Sequence, residues 1–178
     1  MDRTGRTAGE RGTVDRDEEL LLAVLNSAPV VDGRPTDDLG DASGRELARR
    51  WGGVGTEDEL ERLRRARDAL QAVVRSDAPA AVTELADLVA RAVRTPRITG
   101  EGVVWELSAP EPDRLAVQSV LAWSAVNARF PGRLRACAND ECNLFLLDRS
   151  RPGTAKWCSM ATCGNRMKAR AHASRSRD

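Results

Sequence analysis

The sequence predicts a mainly α-helical N-terminal domain with one small β-hairpin, an α+β arrangement, followed by a small C-terminal module that ends in a helix. Apolar residues recur at helical spacing through most of the first part of the chain. One later segment alternates apolar residues around a glycine-containing turn. All cysteines lie near the C-terminus. We therefore expect a disordered tail at residues 1–16, a helical domain at 17–128 and a cysteine-containing module at 129–178.

The tail and the first helix are separated by a change in composition. Residues 1–16 are rich in Gly, Thr, Arg and Asp, which favours disorder. Acidic residues from Asp17 onward precede a cluster of Leu and Val, which predicts a helix that starts near Asp17 and ends before Pro29. Residues 31–42 contain Gly and Pro and are typical of a loop. Three acids of this loop could form a metal cluster, but a solvated acidic loop is favoured because the ordered spacing of a calcium loop is missing; these acids are Asp37, Asp38 and Asp41.

Two capping patterns predict the next two helices. Ser43 with Glu46 opens a short helix through Trp51, which a pair of glycines ends. Thr56 with Glu59 opens a longer helix with leucines directed inward. The arginines of its outer face, at residues 62–67, are interpreted as solvated rather than as a binding site.

The remaining elements of this domain are a helix, a hairpin and a second helix. The first helix starts after Asp77, has Pro79 in its first turn and ends at Pro96. Alternation over residues 97–107 predicts the hairpin, and residues 112–128 predict the last helix. The residues expected to be buried by the first of these helices are Val82, Leu85, Leu88, Val89 and Val93. No phosphate loop or nucleophile motif occurs in this domain, so an enzyme is not expected.

The four cysteines form two C-x4-C pairs separated by fifteen residues, and they are Cys137, Cys142, Cys158 and Cys163. This spacing can place four thiolates around a Zn²⁺ ion. Two disulfides are the competing use, but the polar N-terminus lacks the apolar segment of a secretory signal. We therefore expect a treble-clef-like or zinc-ribbon-like zinc finger that ends in a helix. Four cysteine ligands leave zinc no open position for catalysis.

The charge of the chain is unevenly distributed. Residues 129–178 carry eleven Arg or Lys and four acidic residues, whereas the rest carries 17 basic and 23 acidic residues. An acidic body thus precedes a basic module, which points to nucleic acid as a partner of the module. The longest apolar run, residues 20–25, is too short to span a membrane. We expect a soluble, cytoplasmic protein.

A basic helix is predicted after the third cysteine. Ser159 can cap a helix over residues 160–173, with Met160, Cys163, Met167 and Ala171 on the face toward the metal. Its other faces are cationic, as in elements that contact DNA, although such charges can also serve solubility alone. The candidate nucleic-acid-binding residues of the module are Arg149, Arg151, Lys156, Arg166, Lys168, Arg170 and Arg175. Phe145 and Trp157 could stack on bases, but the core of so small a module is the favoured place for them.

Several motifs of the module resemble the CGNR zinc finger family over residues 131–173. The resemblance rests on the cysteine pairs and on Phe145, Asp148-Arg-Ser150, Trp157-Cys-Ser-Met160, Cys163-Gly-Asn-Arg166 and Lys168-Ala-Arg170. That family is bacterial, carries an N-terminal domain called ABATE and is proposed to act in stress-induced transcription regulation. The resemblance implies that the four cysteines bind zinc, that Arg166 contacts DNA, and that an ABATE-like domain at residues 17–128 binds an effector or forms a homodimer.

Some alternatives stay open at this point. Asn165 could read a base edge or hydrogen-bond to the backbone, and the second is slightly favoured. The segment Gly153-Thr-Ala155 lacks basic residues that many relatives carry there, which could weaken phosphate contacts. The finger could also be a protein-interaction module or a thiol-based redox sensor without direct DNA binding. A pocket lined by Trp51, Trp105 and Trp123 is conceivable, but core packing is preferred for these side chains.

Overall fold

The computed structural model describes residues 8–76 and 78–175, with side chains from Arg16 onward. Within these ranges the chain forms six α-helices and three two-stranded antiparallel sheets. The helices are α1 Ala8–Leu25, α2 Ala42–Arg50, α3 Glu57–Arg75, α4 Pro79–Val89, α5 Arg114–Arg129 and α6 Asn165–Arg175. The strand pairs are β1 Val30–Val31 with β2 Arg34–Pro35, β3 Val93–Thr99 with β4 Gly102–Ser108, and β5 Leu134–Ala136 with β6 Phe145–Leu147. The predicted mainly helical fold is confirmed, but the prediction of a single hairpin within residues 17–128 is wrong, because the short β1–β2 pair forms a second hairpin where a loop was predicted at residues 31–42.

Helix α1 corrects the predicted tail. It begins at Ala8 rather than near Asp17, so residues 8–16 are helical, and residues 1–7 lie outside the described part of the chain. Extending a formed helix costs less than nucleating one, and the fully buried Leu21 and Leu25 anchor the turns from which it extends. The helix ends at Leu25, before Pro29, as predicted.

The acidic loop after α1 caps helices. Asp37 accepts from the Leu39 N–H at 3.0 Å and starts a 3₁₀ turn. Asp41 accepts from the Ser43 N–H at 2.8 Å and caps α2, so the predicted Ser43 capping box is wrong. The carboxylate of Asp41 satisfies a terminal donor of α2 from the position just before the helix begins. The third acid of the loop, Asp38, lies within the 3₁₀ turn.

Helix α3 begins at the predicted cap but buries part of its charged face. The Thr56 hydroxyl accepts from the Glu59 N–H at 3.3 Å. The Glu59 carboxylate is buried and accepts from the N–H groups of Val54 at 2.9 Å and Gly55 at 2.6 Å. Arg67 is only 5 % exposed. It pairs with Asp37 in the acidic loop and with Asp68 on α3. The prediction of a solvated face over residues 62–67 is therefore wrong at Arg67. A buried guanidinium requires such partners.

Helix α4 is shorter than predicted. It ends at Val89, and Pro96 lies inside β3 instead of ending the helix. Val82 and Val93 are 49 % and 59 % exposed, so their predicted burial is wrong. The inward stripe of α4 consists of the helically spaced Ala81, Leu85 and Leu88, which leaves Val82 on the outer side.

Two apolar clusters form the core, and one of them includes the C-terminal module. Its buried members come from α1, α3, α4, α5 and both strands of the β5–β6 hairpin, where Leu134 and Phe145 contribute. The second cluster joins α1, α2, α3 and α5 around the buried Trp51. Trp123 is half-buried, whereas Trp105 is 55 % exposed, so core packing was wrong for Trp105. The domain boundary at residues 128–129 stays a prediction, but the core crosses it.

The described helices include none that combines the length and apolar character needed to cross a membrane.

Candidate metal centre and its basic surroundings

The four cysteines are held by a hairpin and a helical turn. Cys137 directly follows β5, and its N–H donates to the Leu144 carbonyl at 2.8 Å across the hairpin that also carries Cys142. Cys158 precedes a π-helical turn, Met160–Gly164, which contains Cys163 and continues into α6. The Ser159 hydroxyl caps this turn by accepting from the Thr162 N–H at 3.3 Å. The predicted cap at Ser159 is confirmed.

The thiols lie at distances that suit a tetrahedral metal ion. All four Sγ atoms lie within 4.8 Å of one another. Cys142 and Cys158 are 3.7 Å apart, and so are Cys158 and Cys163. Zinc bound to sulfurs at about 2.3 Å separates them by about 3.8 Å, whereas a disulfide requires about 2.05 Å. The residues therefore fit a metal ion, and the alternative of two disulfides is wrong because all four cysteines are free.

Neighbouring N–H groups point at the sulfurs. Asn139 is fully buried and its Nδ2 donates to Cys163 Sγ at 3.5 Å. The Cys158 N–H donates to Cys137 Sγ at the same distance, 3.5 Å. Such bonds orient thiolate ligands and stabilise their negative charge. Asn139 was not predicted as a site residue, although its position between the first two cysteines could have indicated a contact with the sulfurs.

The acidity of the thiols differs within the cluster. Burial raises the pKa of Cys142 and of Cys158, which disfavours a group of uncompensated thiolates. Burial acts in the same direction on Cys163, but the Asn139 amide and the other cysteines outweigh it and lower the pKa of this thiol. A bound cation ionises coordinating thiols, so metal binding and proton release are coupled here.

A buried carboxylate holds the segment between the two cysteine pairs. Asp148 accepts from the Ser150 hydroxyl at 2.6 Å, the Ser150 N–H at 2.9 Å and the Ala155 N–H at 3.0 Å. Arg133 and Arg135 lie 3.6 and 3.7 Å from the same carboxylate. The Ser150 hydroxyl, the two backbone donors and Arg133 hold the pKa of Asp148 below its usual range despite its burial. Asp148 thus keeps its charge and fixes the loop.

Gly164, within the Cys-Gly-Asn-Arg tetrapeptide, lies in close contact with two side chains. A Cβ atom at this position would lie 2.9 Å from Met160 Sδ and 3.2 Å from Trp157 Cδ1. Trp157 is half-buried beside this glycine, and Phe145 is 2 % exposed in the shared core. The core role expected for Phe145 is therefore confirmed.

Asparagines and an arginine attach the module to the helical body. Asn26, directly after α1, accepts from the Phe145 N–H at 2.7 Å and donates to the Phe145 carbonyl at 3.3 Å. Asn143 Nδ2 donates to the Ala28 carbonyl at 2.9 Å. The Arg75 guanidinium lies over the Phe145 ring at 4.6 Å and donates to Asn143. These contacts orient the metal centre relative to the body.

Helix α6 is exposed or half-buried along its whole length. The predicted metal-facing stripe is wrong at Met160, which is 54 % exposed, and at Ala171, which is also exposed, whereas Met167 is half-buried. The described residues of its later turns, 168–175, are all exposed. Asn165 Nδ2 donates to the Ala161 carbonyl at 3.2 Å, which supports the backbone role favoured from the sequence.

The predicted nucleic-acid-binding residues are all exposed, but three of them have acidic partners. Four lie on α6, namely Arg166, Lys168, Arg170 and Arg175, and three on the preceding loops, namely Arg149, Arg151 and Lys156. Arg166 Nη1 lies 4.0 Å from a Glu141 carboxylate oxygen, and Arg170 pairs with the same carboxylate. Arg149 Nε donates to Glu18 on α1 at 2.9 Å. The predicted residues therefore fall into two groups: those of the cationic helix α6 are exposed, whereas Arg149 contacts the body.

These features define a class of protein: a helical body that carries a four-cysteine finger and an exposed cationic helix. Residues 133–176 match the family model of the CGNR zinc finger. The four cysteines lie within this match, and a zinc finger is a metal-binding module. No curated protein is significantly similar to the chain. The match begins at Arg133, so the ABATE-type resemblance of residues 17–128 stays a prediction.

Proposed function

We propose that this protein is a zinc-containing DNA-binding regulator of transcription. The observation that carries the proposal is the exposed cationic helix α6, which starts directly after Cys163 in the metal-binding turn. A helix held rigidly at one end can enter a groove or follow a phosphate backbone.

Zinc is the metal that best suits the site. Four thiolate ligands with tetrahedral spacing favour zinc over the oxygen-preferring Mg²⁺ and Ca²⁺. The match to a zinc finger family supports the same metal. The ion would be structural, because the four sulfurs occupy its whole coordination shell.

The DNA-binding surface would combine α6 with the loop before the second cysteine pair. Arg166, Lys168, Arg170 and Arg175 are exposed on α6, and Arg151 and Lys156 are exposed on the loop. Glu141 partly neutralises this surface through Arg166 and Arg170. Phosphate groups would compete with Glu141 for these guanidinium groups, which makes Glu141 an internal modulator of affinity.

The body would position the finger and carry regulation. Asn26, Arg75 and the shared core fix the β5–β6 hairpin on α1 and α3. A change in the packing of α1 would therefore reach the metal centre through direct contacts. Sensing of an effector by the body remains part of the proposal.

The affinity for DNA, measured at a series of salt concentrations, tests this proposal. The zinc-loaded protein is titrated with random-sequence duplex DNA, and the double variant Arg166→Ala, Arg170→Ala is compared with Arg45→Ala, Arg49→Ala. The control removes the same charge from exposed positions of α2. Each lost phosphate contact lowers the slope of log affinity against log salt by about 0.9.

We expect a linear salt dependence, and a slope lower by about 1 to 2 in the α6 variant but not in the control. Zinc content should be unchanged in both variants, because neither removes a ligand. Absence of binding at low salt would overturn the proposal and favour a protein-interaction module. Equal slopes in the two variants would show that α6 is not the contact surface.

A further inference from the structure

The β3–β4 hairpin has one apolar face. Directly paired residues of an antiparallel ladder point to the same side, and successive residues alternate. The register places Pro96 opposite Trp105 and Ile98 opposite Val103, so these four side chains share a face. The other face carries the ion pair between Arg97 and Glu106.

That apolar face lies open to solvent. Ile98 is 77 % exposed, and Val103 and Trp105 are each 55 % exposed. The hairpin packs mainly on itself, since neither strand makes an extensive contact with another described element. A two-stranded hairpin alone is only marginally stable in water, and contiguous exposed apolar surface with an aromatic centre is typical of an interface.

We propose that this hairpin face is a dimerisation surface that packs on the same face of a second copy of this chain. A two-fold interface requires a self-complementary patch, and an apolar face that carries its ion pair on the opposite side meets that requirement. The pair of Arg97 with Glu106 stays in water when two such faces meet. Arg94 shares the apolar face opposite Leu107, but both line a cavity with Asp17 at the body end of the hairpin. The patch of Ile98, Val103 and Trp105 therefore buries no unpaired charge.

The area of the patch predicts a weak dimer. Ile98, Val103 and Trp105 leave roughly 400 Å² of surface uncovered per copy, or roughly 800 Å² in the pair. The adjoining Pro96 is also exposed, but the total stays below the lower limit of about 1,200 Å² for specific interfaces. So small an area is typical of weak, transient association.

The position of the hairpin leaves both metal centres accessible. It precedes the N-terminus of α5, and β5 with the first cysteine follows the C-terminus of the same helix. A helix of 16 residues places them about 24 Å apart along its axis. The dimer itself does not depend on DNA binding. Its consequence, bivalent binding by two α6 helices, rests on the proposed function.

The test is sedimentation equilibrium of the full zinc-loaded chain without DNA, at concentrations from about 1 to 100 µM. We expect the weight-average mass to approach twice that of one chain. The double variant Ile98→Thr, Trp105→Thr keeps residues that suit a strand but removes the apolar face. Val104→Thr changes the opposite face of β4 and is the matched control.

The variant should weaken association at least about tenfold, while the control should match the wild type. A wild-type chain that stays monomeric at the highest concentration would overturn the proposal. So would a dimer that the double variant leaves unchanged. If the variant does not fold, amide hydrogen exchange of the wild-type chain is measured at several protein concentrations instead. Protection from exchange should increase with concentration over residues 93–108. An increase confined to other residues would contradict the proposal.

Discussion

Arg149 Nε donates to the Glu18 carboxylate at 2.9 Å and joins the loop after β6 to the middle of α1. Glu18 is only 7 % exposed, so its carboxylate lies where an unpaired charge would be costly. Arg149 also lies over the Phe130 ring at 5.7 Å. The basic residues of the finger therefore differ in their surroundings: Arg149 attaches the module to the body, whereas those of α6 are exposed.

Arg149→Ala should lower the free energy of unfolding by roughly 1 to 3 kcal/mol, because it leaves the buried Glu18 carboxylate without its guanidinium partner. Urea unfolding monitored by circular dichroism measures this change. Arg151→Ala removes an exposed arginine two residues later and should cost less than about 0.5 kcal/mol. Equal stability of the two variants would show that the Arg149 contact contributes little.

Glu141→Gln should raise the affinity for DNA. The substitution removes the carboxylate that pairs with Arg166 and Arg170, and an exposed ion pair of this kind is worth about 0.2 to 1 kcal/mol. We therefore expect a gain of roughly 1.5- to 5-fold at low salt, measured by fluorescence anisotropy. Glu46→Gln, on the exposed face of α2, changes the net charge equally and is the control. A gain of the same size in both variants would assign the effect to net charge alone.

Cys163→Ala should abolish stoichiometric metal binding and destabilise the body as well as the finger. Phe145 and Leu134 belong to the core that α1, α3 and α5 also form, so loosening of the hairpin exposes apolar surface of the body. Elemental analysis should give one zinc per wild-type chain, and chelation should lower the thermal transition. Ala161→Ser, at an exposed position of the same turn, should keep the metal. A body that melts at an unchanged temperature without zinc would contradict this coupling.

Acid should destabilise the protein through Asp37. Burial alone would raise the pKa of this carboxyl, but hydrogen bonds from Arg67 and the Leu39 N–H lower it below its usual value. A carboxyl with a folded-state pKa below its unfolded value of about 3.9 contributes stability above that pH and loses it as the pH falls through the folded pKa. Asp37→Asn should therefore lower stability near neutral pH and flatten its decline below about pH 4. Urea unfolding between pH 7 and 3 measures both effects.

The control for this prediction is Asp87→Asn, which removes the same charge from an exposed position of α4. This variant should neither lower stability near neutral pH nor flatten the decline of stability in acid. A decline with acid that is unchanged in Asp37→Asn would show that other carboxyl groups dominate the pH dependence. The pairing of Asp37 with the nearly buried Arg67 would then matter for geometry more than for stability.

Local patterns in the sequence determined the start of α3, the β3–β4 hairpin and the metal site. Thr56 marked the start of α3 because capping involves residues three positions apart. The C-x4-C spacing identified the four ligands, since each pair needs only a short clamp to present its thiols. The hairpin around Gly102 followed from alternation and its turn residues. Each of these features depends on neighbours within a few residues.

Only the tertiary structure decided which of these residues are buried, paired or open. Arg67 looked like part of a solvated face until Asp37, thirty residues away, appeared beside it. Arg149 was indistinguishable in sequence from the other basic residues of the finger, yet it contacts Glu18 from 131 residues away. Trp105 is open because its hairpin projects from the core. Burial and charge pairing depend on contacts between distant segments, and the packing of the whole chain determines these contacts.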